Sequence, residues 1–440
     1  MTVDIKGHID ACTNGLLQGW VQTADGSQKI NIRIDGLPAL EVVANKYRGD
    51  LEAAEVLDGH ASFSEPLLPT YLDDATHLVE VFDAATGVLM ARKEILFEKT
   101  EKLKKLDESV LSCFGNQQIP ASSRIAILCG YEKTTRLAAS TEHHIQLLKS
   151  HGFFVVFVLA VDKHTGPQKL TASQADLIIV RKNAGYDFGS WACGFYKLRQ
   201  LGLVDCAYLL LMNDSMLWTG KPLDARYLSL SHEGAEYDVL GAVESYESTR
   251  HLQSYYLLFS AAVIAGCHLD AYLLYTGPLS NKKEEVIVNF ELRSASFFED
   301  RGLTTHAIND YESLANEFVH SCNALIPADC NIDPSDSDLS YDERLLAGWY
   351  HNVHVGKTVN PSHVFWQAIV ERGLPFIKKE LLFKNPANIP FHGQIQHQLT
   401  PASMQSVRDH LRHAANPLFP IIGAPRRAHQ RKPAKNARTS

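Results

Sequence analysis

The chain has 440 residues, of which 45% are hydrophobic, and a formal net charge of −8 at pH 7. That length allows two or three domains, and the acidic balance excludes nucleic-acid binding by bulk electrostatics. The apolar fraction is ordinary for a soluble globular protein.

Eight cysteines are scattered without a CxxC pair or zinc-ligand spacing. Several, such as Cys129 and Cys206, sit inside apolar runs, so reduced core thiols are expected. The opening MTVDIKGHID lacks the basic and apolar regions of a signal peptide. The longest weakly polar stretch, 255–267, falls short of the roughly 20 residues that a membrane span needs. The expectation is a cytoplasmic protein, at most peripheral at the inner face of a membrane.

Residues 1–98 read as an all-β sandwich module. In Lys29-Ile30-Asn31-Ile32-Arg33-Ile34 the isoleucines face one way. Asp35-Gly36 supplies a tight turn before the apolar run resumes at Leu40, which predicts a hairpin. Further strands are predicted over 60–64, 77–83 and 93–97. Trp20 and Tyr47 are either sugar-stacking aromatics or packed ones. Residues 99–121 are predicted as a linker helix, with helical spacing of Leu103, Leu106, Val110 and Leu111.

The next domain, predicted over 122–395, alternates strand and helix. Strands are predicted over 124–129, 153–161, 177–180 and 207–212, with helices over 137–150 and 188–201. A further short helix is expected between residues 162 and 176. This is the pattern of a doubly wound α/β sheet. Neither a GxGxxG after the first strand nor a P-loop is present, which disfavours dinucleotide and ATP binding of the common kinds.

The segment DLIIVRKNAGYDFGSWACGFYKLRQLGLVDCAYLLLMNDS carries the site prediction. Its two apolar runs end in polar turns, Arg181 to Asp187 and Asn213 to Ser215. One βαβ unit separates those turns by roughly thirty residues and brings them to one sheet edge, where open α/β sheets bind ligands. Later strands are predicted over 237–243 and 254–263, then a helix over 281–298 carrying Glu291. Residues 321–340 read as irregular. Asn360-Pro361-Ser362 starts a helix, and a second short helix carries Lys378 and Lys379. Asn385-Pro386 is expected to end the globular part. Residues 396–440 are predicted as a C-terminal helix and a disordered tail with Arg426, Arg427, Arg431, Lys432, Lys435 and Arg438 and no acidic side chain.

Five blocks then carry a resemblance. RKNAGYDFGSWACG, LLLMNDS, HLQSYYLLFS, VNFELRS and NPSHVFWQAIVERGLPFIKKELL, in that order over roughly 122–390, resemble the rhamnan synthesis protein F family. The first hundred residues, through GHID, GWV, IRIDG, YRGDL and HLVEVFD, resemble β-sandwich modules attached to polysaccharide glycosyltransferases. The resemblance implies a GT-A-like mixed sheet and transfer of rhamnose or a related sugar onto rhamnan, O-antigen or capsule. It implies a nucleotide-sugar donor such as dTDP-rhamnose and a lipid-linked saccharide acceptor. The basic tail reads either as a contact for anionic lipid or as a plain solubilising segment.

Such transfer needs a neutralised diphosphate, polar donor contacts and, for inversion, a carboxylate that takes the acceptor proton. Asn213-Asp214-Ser215 stands where GT-A enzymes keep Asp-x-Asp, so Asp214 is the candidate ligand for Mg²⁺ or Mn²⁺, weak because it stands alone. The same triplet also reads as a plain turn. Arg181 is a candidate for phosphate or for pairing with Asp187. Asn183, Gly185, Tyr186, Asp187, Asn213, Ser215, His363 and Lys378 are the donor-binding candidates. Asp187 reads equally as a helix cap. Glu291 is the candidate base, with Asp214 also catalytic and Glu244 a competing carboxylate. His143, His144, His351 and His354 lack an HExxH partner and read as structural. A non-catalytic sugar-binding or scaffold protein is the other reading of these residues.

Overall fold

The computed structural model describes residues 6–23, 25–121, 123–132, 137–162, 175–325, 340–389 and 392–413. The basic tail and the short helix expected after Asp162 lie outside these residues.

The N-terminal part is two four-stranded antiparallel sheets. Its strands are β1 (Lys6–Thr13), β2 (Leu16–Gln22), β3 (Lys29–Ile34), β4 (Leu37–Val43), β5 (Lys46–Tyr47), β6 (His60–Pro66), β7 (Ala75–Asp83) and β8 (Leu89–Phe97), with helix α1 (Gly49–Ala53) before β6. They order as β1-β2-β6-β5 and β4-β3-β7-β8. The alternation expected in β3 is realised: Ile30, Ile32 and Ile34 are buried between exposed neighbours. Tyr47 is exposed, with its hydroxyl on Glu52 at 2.6 Å.

Helix α2 (Glu101–Ser109) follows, shorter than expected. Its Thr100 side chain accepts from the Leu103 N–H as an N-cap. Residues assigned to its last turn instead form strand β9 (Val110–Gly115), antiparallel to β12. The β-branched Val110 suits either state, and a free sheet edge decides between them.

The main sheet has nine strands. After β9 come β10 (Arg124–Glu132), helix α3 (Ala139–Ser150), β11 (Phe153–Val161), β12 (Leu177–Lys182), helix α4 (Tyr186–Gln200) and β13 (Tyr208–Asn213). Short β14 (Met216–Trp218), the pair β15 (Ser231–His232) and β16 (Ala235–Glu236), then β17 (Val239–Ser245), β18 (His251–Leu252), β19 (Tyr256–Ser260), β20 (Thr305–Asn309) and β21 (Phe376–Lys378) complete the strands. The path is β18-β17-β19-β13-β10-β11-β12-β9, with β20 on β17. Strands β13, β10, β11 and β12 are mutually parallel, and β19 and β9 flank them antiparallel. The sheet is therefore mixed.

Both faces are dry, which explains why these strands read as unbroken apolar runs. Ile125, Ile127 and Cys129 of β10 enter one core with α4 and the N-terminal sheets. Ala126 and Leu128 enter the other, with α3 and the C-terminal helices. Tyr275 bridges the N-terminal part to the sheet domain through its hydroxyl on the Leu67 carbonyl at 2.6 Å.

Several expected boundaries move. Strand β19 ends at Ser260, whose hydroxyl caps a short helix, Ala261–Ala265. Strand β17 runs on to Ser245, so Glu244 lies inside it. The helix expected over 281–298 is broken: Lys283–Asn289 is helical, Glu291–Arg293 is a 3₁₀ turn, and Ser296–Glu299 resumes. Phe290 causes the break by turning out of helical φ/ψ, to −124° and −66°, and burying its ring on Phe188 and Tyr272. The irregular reading of 321–340 fails at its start, since helix Tyr311–Leu325 runs through it. A helix over Tyr341–His354 was not foreseen; Ser340 and Glu343 close a capping box at its start. Packing also continues past Pro386: Ile389, Ile395 and Val407 share a core with Leu217.

Candidate functional site

The parallel strands end together in polar residues. Glu132 closes β10, Asp162 follows β11, Asn183 follows β12, and Asn213 closes β13. Strands β12 and β13 are not neighbours as the βαβ reading implied, because β10 and β11 lie between them. The two polar turns nevertheless meet, and α4 is the reason.

Helix α4 starts past β12 and crosses back over β11 and β10. Gly194 lets it come close: a Cβ there would stand 2.8 Å from Ile127 and 2.9 Å from Val158. Trp191 donates its indole N–H to the Met212 carbonyl at 3.0 Å, pinning the helix to β13. Gly185 opens the helix at φ +75°, and a Cβ there would strike Leu279 at 2.5 Å. The first turn thus carries Asp187 over β10. Its carboxylate accepts from Asn213 Nδ2 at 2.8 Å and lies 3.7 Å from Cys129 Sγ. Asp187 is not the helix cap; Gly185 holds that position, without a side-chain bond.

Asn213 is fully employed. Its Oδ1 accepts from the Ser215 N–H at 3.1 Å and the Ser215 hydroxyl at 2.5 Å, an Asx-type turn. Asp214 projects beyond it, over Gly130, and its Oδ2 accepts from Lys379 Nζ at 3.3 Å. Lys379 comes from far along the chain. Strand β21 pairs antiparallel with β14, placing Met216 opposite Lys378, and the Lys379 N–H donates to the Ser215 carbonyl at 2.8 Å. The second short helix expected here begins only at Lys379, and Lys378 is still strand.

Glu291 joins the same edge. Its Oε1 accepts from Ser254 Oγ at 3.2 Å. It is close enough to Asp187 to bear on that group's proton affinity. Beyond Ser254, Tyr255 donates or accepts with Ser362 at 3.1 Å, and Lys378 stands 5.7 Å over the Tyr255 ring. His363 is buried, its Nε2 2.7 Å from Glu380 Oε1. That contact, with Lys378 nearby, holds the Glu380 carboxyl down at about 2.

Four candidates do not join. Arg181 is buried, donating Nη2 to the Ala184 carbonyl at 2.8 Å and Nη1 to Ser190 at 3.4 Å. It braces the turn from beneath, and both of these bonds go to partners other than Asp187. Asn183 is exposed and donates to Asp162 at 3.3 Å. Glu244 is spent on Arg250 at 2.7 Å and on the Tyr311 N–H at 3.2 Å. Tyr186 is exposed, with its hydroxyl on the Asn281 carbonyl at 3.2 Å. The histidines behave as packing groups: His143 meets Trp218 edge-on, His144 meets Phe376, and His354 stacks on Tyr350.

Sequence reasoning missed Glu132 and Lys379. Glu132 was findable, because it ends a parallel strand as Asn213 does. Burial and the Asp214 charge push its carboxyl up to about 7, against the pull of Lys379. Lys379 gave no local signal, since a pairing more than 150 residues distant delivers it.

Asp187 keeps part of its surface exposed while its carboxyl turns inward. Desolvation first, then the charges of Asp214 and Glu291, push that carboxyl up to about 6, against the bonds from Asn213 and Cys129. An unfolded Asp titrates at about 3.9. The folded state therefore holds this proton more tightly, and its stability falls as pH rises from about 4 to about 6. Asp187→Asn is expected to flatten the stability profile over that window, as read from urea midpoints at stepped pH. An unchanged slope would contradict the inward placement.

A hard divalent ion takes six or more oxygen ligands, with carboxylates prominent. Among the described residues no group of three His, Cys, Asp or Glu could hold a metal ion. For Mg²⁺ or Mn²⁺, Asp214 offers one carboxylate, and its Oδ2 already bonds the Lys379 ammonium.

The site lies within a recognisable segment. Residues 155–333 match the family model for rhamnan synthesis protein F. The resemblance seen in the sequence holds over that stretch. It spans Asp187, Asp214 and Glu291 and ends before the Asn360 block that carries Lys378 and Lys379. The chain is 27% identical over 288 residues to virulence protein VirA of Vibrio anguillarum, covering 65% of this chain and 88% of that one. It is 28% identical over 238 residues to the uncharacterized protein y4gN of Sinorhizobium fredii, covering 53% and 60%. The crystal structure of 4-diphosphocytidyl-2C-methyl-D-erythritol synthase aligns at 16% identity and a TM-score of 0.26, over 43% of this chain and 90% of that one. That likeness is too slight to bear on the fold. Among the described residues no helix is long and apolar enough to cross a membrane.

Proposed function

We propose that the chain is a GT-A-like, inverting glycosyltransferase that moves rhamnose or a related sugar from a nucleoside-diphosphate donor to a growing cell-surface polysaccharide. The observation that carries this reading is the junction of Asp187 with Asn213 and Asp214 at the carboxyl ends of the parallel strands. Open α/β sheets bind ligands at that edge, and the rhamnan synthesis protein F match covers it.

In this reading the donor lies along the strand ends, with Asp214 and Ser215 at its polar head. Lys378 and the His363–Glu380 pair flank the far side. Glu291, one oxygen held by Ser254, takes the acceptor hydroxyl proton. Arg181 and Asn213 serve as supports rather than as donor contacts. The donor is dTDP-rhamnose and the acceptor a lipid-linked saccharide; the basic tail would bring the chain to that acceptor's anionic surface.

A non-catalytic carbohydrate scaffold is the second reading. Asn213 in place of a second carboxylate, and an Asp214 already paired with Lys379, favour it. A thermal-shift panel with dTDP-rhamnose and dTDP, with and without Mn²⁺, separates the two. A ligand at about 100 times its Kd raises stability by about 2.7 kcal/mol. The enzyme reading expects a raised midpoint with both ligands and slow release of free sugar from the donor. A scaffold gives neither, and that result would remove the enzymatic proposal.

A further inference from the structure

We propose that Lys379 supplies the positive charge on the donor diphosphate, in the place where a divalent ion was expected; this inference rests on the diphosphate-donor reading above. The argument begins with Asp214. Its carboxylate lies over Gly130 at the strand end, and the cation it meets is the Lys379 ammonium at 3.3 Å. Both side chains are mostly buried, at 20% exposure for Lys379 and 16% for Asp214, so neither is a loose surface pair.

The backbone aims that ammonium. The ribbon β14–β21 fixes residues 376–378 against 216–218, and the Lys379 N–H on the Ser215 carbonyl extends the pairing by one position. Lys379 is thus registered against the same turn that carries Asp214. An ammonium has three donors and needs no coordination shell, so one carboxylate leaves it free to donate to phosphate oxygens as well.

The step balances without a metal. The bond from the anomeric carbon to the phosphate oxygen breaks, and its electron pair stays on the diphosphate. The acceptor oxygen bonds to the anomeric carbon and gives its proton to the Glu291 carboxylate. Lys379 keeps its proton and donates hydrogen bonds to the oxygens on which charge gathers.

The test uses inorganic pyrophosphate as the probe, titrated calorimetrically into the full chain in excess EDTA. Wild type and Lys379→Arg should bind, and Lys379→Met should bind at least about tenfold more weakly, the loss of one charge-assisted contact. Asp214→Asn supplies a second arm that does not depend on the Lys379 variants folding. With its carboxylate gone the ammonium is freer, so this variant should bind pyrophosphate in EDTA at least as tightly as wild type. Binding that needs Mn²⁺ or Mg²⁺, vanishes in Asp214→Asn and ignores Lys379→Met would overturn the lysine assignment and leave the donor reading standing. Absence of binding with and without metal would remove the diphosphate-donor reading, and this inference with it.

Discussion

Asp214→Ala and Glu291→Ala are each expected to lower sugar transfer by about 10²–10⁴-fold while leaving the fold intact. The two losses should differ in kind. Glu291 is proposed to act on the acceptor proton, so its removal should reduce kcat and kcat/KM together, with donor affinity unchanged. Asp214 orients Lys379 at 3.3 Å. Without it the ammonium still binds diphosphate but is no longer held where charge develops, so kcat should fall while donor affinity holds or tightens. Steady-state rates with a nucleotide-sugar donor, alongside far-UV spectra and melting curves, make the comparison. Folded variants with normal turnover would refute both assignments.

The two residues differ in how far the sequence disclosed them. Asp214 stands at the end of a run, Leu209 to Met212, that is buried on both faces. Burial on both faces produces an unbroken apolar stretch, and the first polar residues after it must lie at the sheet edge. Glu132 follows the same rule and was overlooked because the strand's last residues, Gly130 and Tyr131, are not apolar enough to mark it. Glu291 was placed on a long helix, and the pattern of 281–298 does carry helical spacing. Phe290 overrides it by burying its ring against Phe188, and the break turns Glu291 toward Ser254. No local propensity records that choice, since it depends on a helix a hundred residues earlier.

Pairing order was the deeper loss. A helix between β12 and β13 suggested neighbouring strands, as most such crossovers give. The sheet instead inserts β10 and β11 between them. The proximity of Asp187 to Asn213 survives because α4 spans that gap and Gly194 lets it lie close to both inserted strands. Arg181 shows the reverse error. An arginine in a polar turn reads as a phosphate ligand, yet its position on a strand buried on both faces sends it inward to Ala184 and Ser190. Charge type suggested its role, and strand register decided it.

Asp270→Ala is expected to destabilise the chain by about 3–5 kcal/mol, the cost of stranding a buried charge. Arg199, near the last turn of α4, is the charge in question. Its Nε and Nη2 donate to Asp270 at 3.0 and 2.6 Å. The remaining N–H groups go to the carbonyls of Leu203, Val204 and Ile264, so every donor of the guanidinium is used. Side-chain exposures are 1% for Arg199 and 0% for Asp270, so no water replaces a lost partner. Arg199→Met with Asp270→Leu should recover part of the loss, because an apolar pair removes the stranded charge. Recovery should stay incomplete, since the three carbonyls would lose their donor. Urea midpoints for the single and double variants measure both quantities. The pair sits at the opposite end of α4 from Asp187, roughly 20 Å along a helix of 15 residues. Donor affinity should therefore persist in whatever fraction of Asp270→Ala remains folded. Loss of affinity in the folded fraction would mean that the far end of α4 sets the placement of Asp187, and that the glycine and tryptophan contacts along the helix do not suffice to fix it.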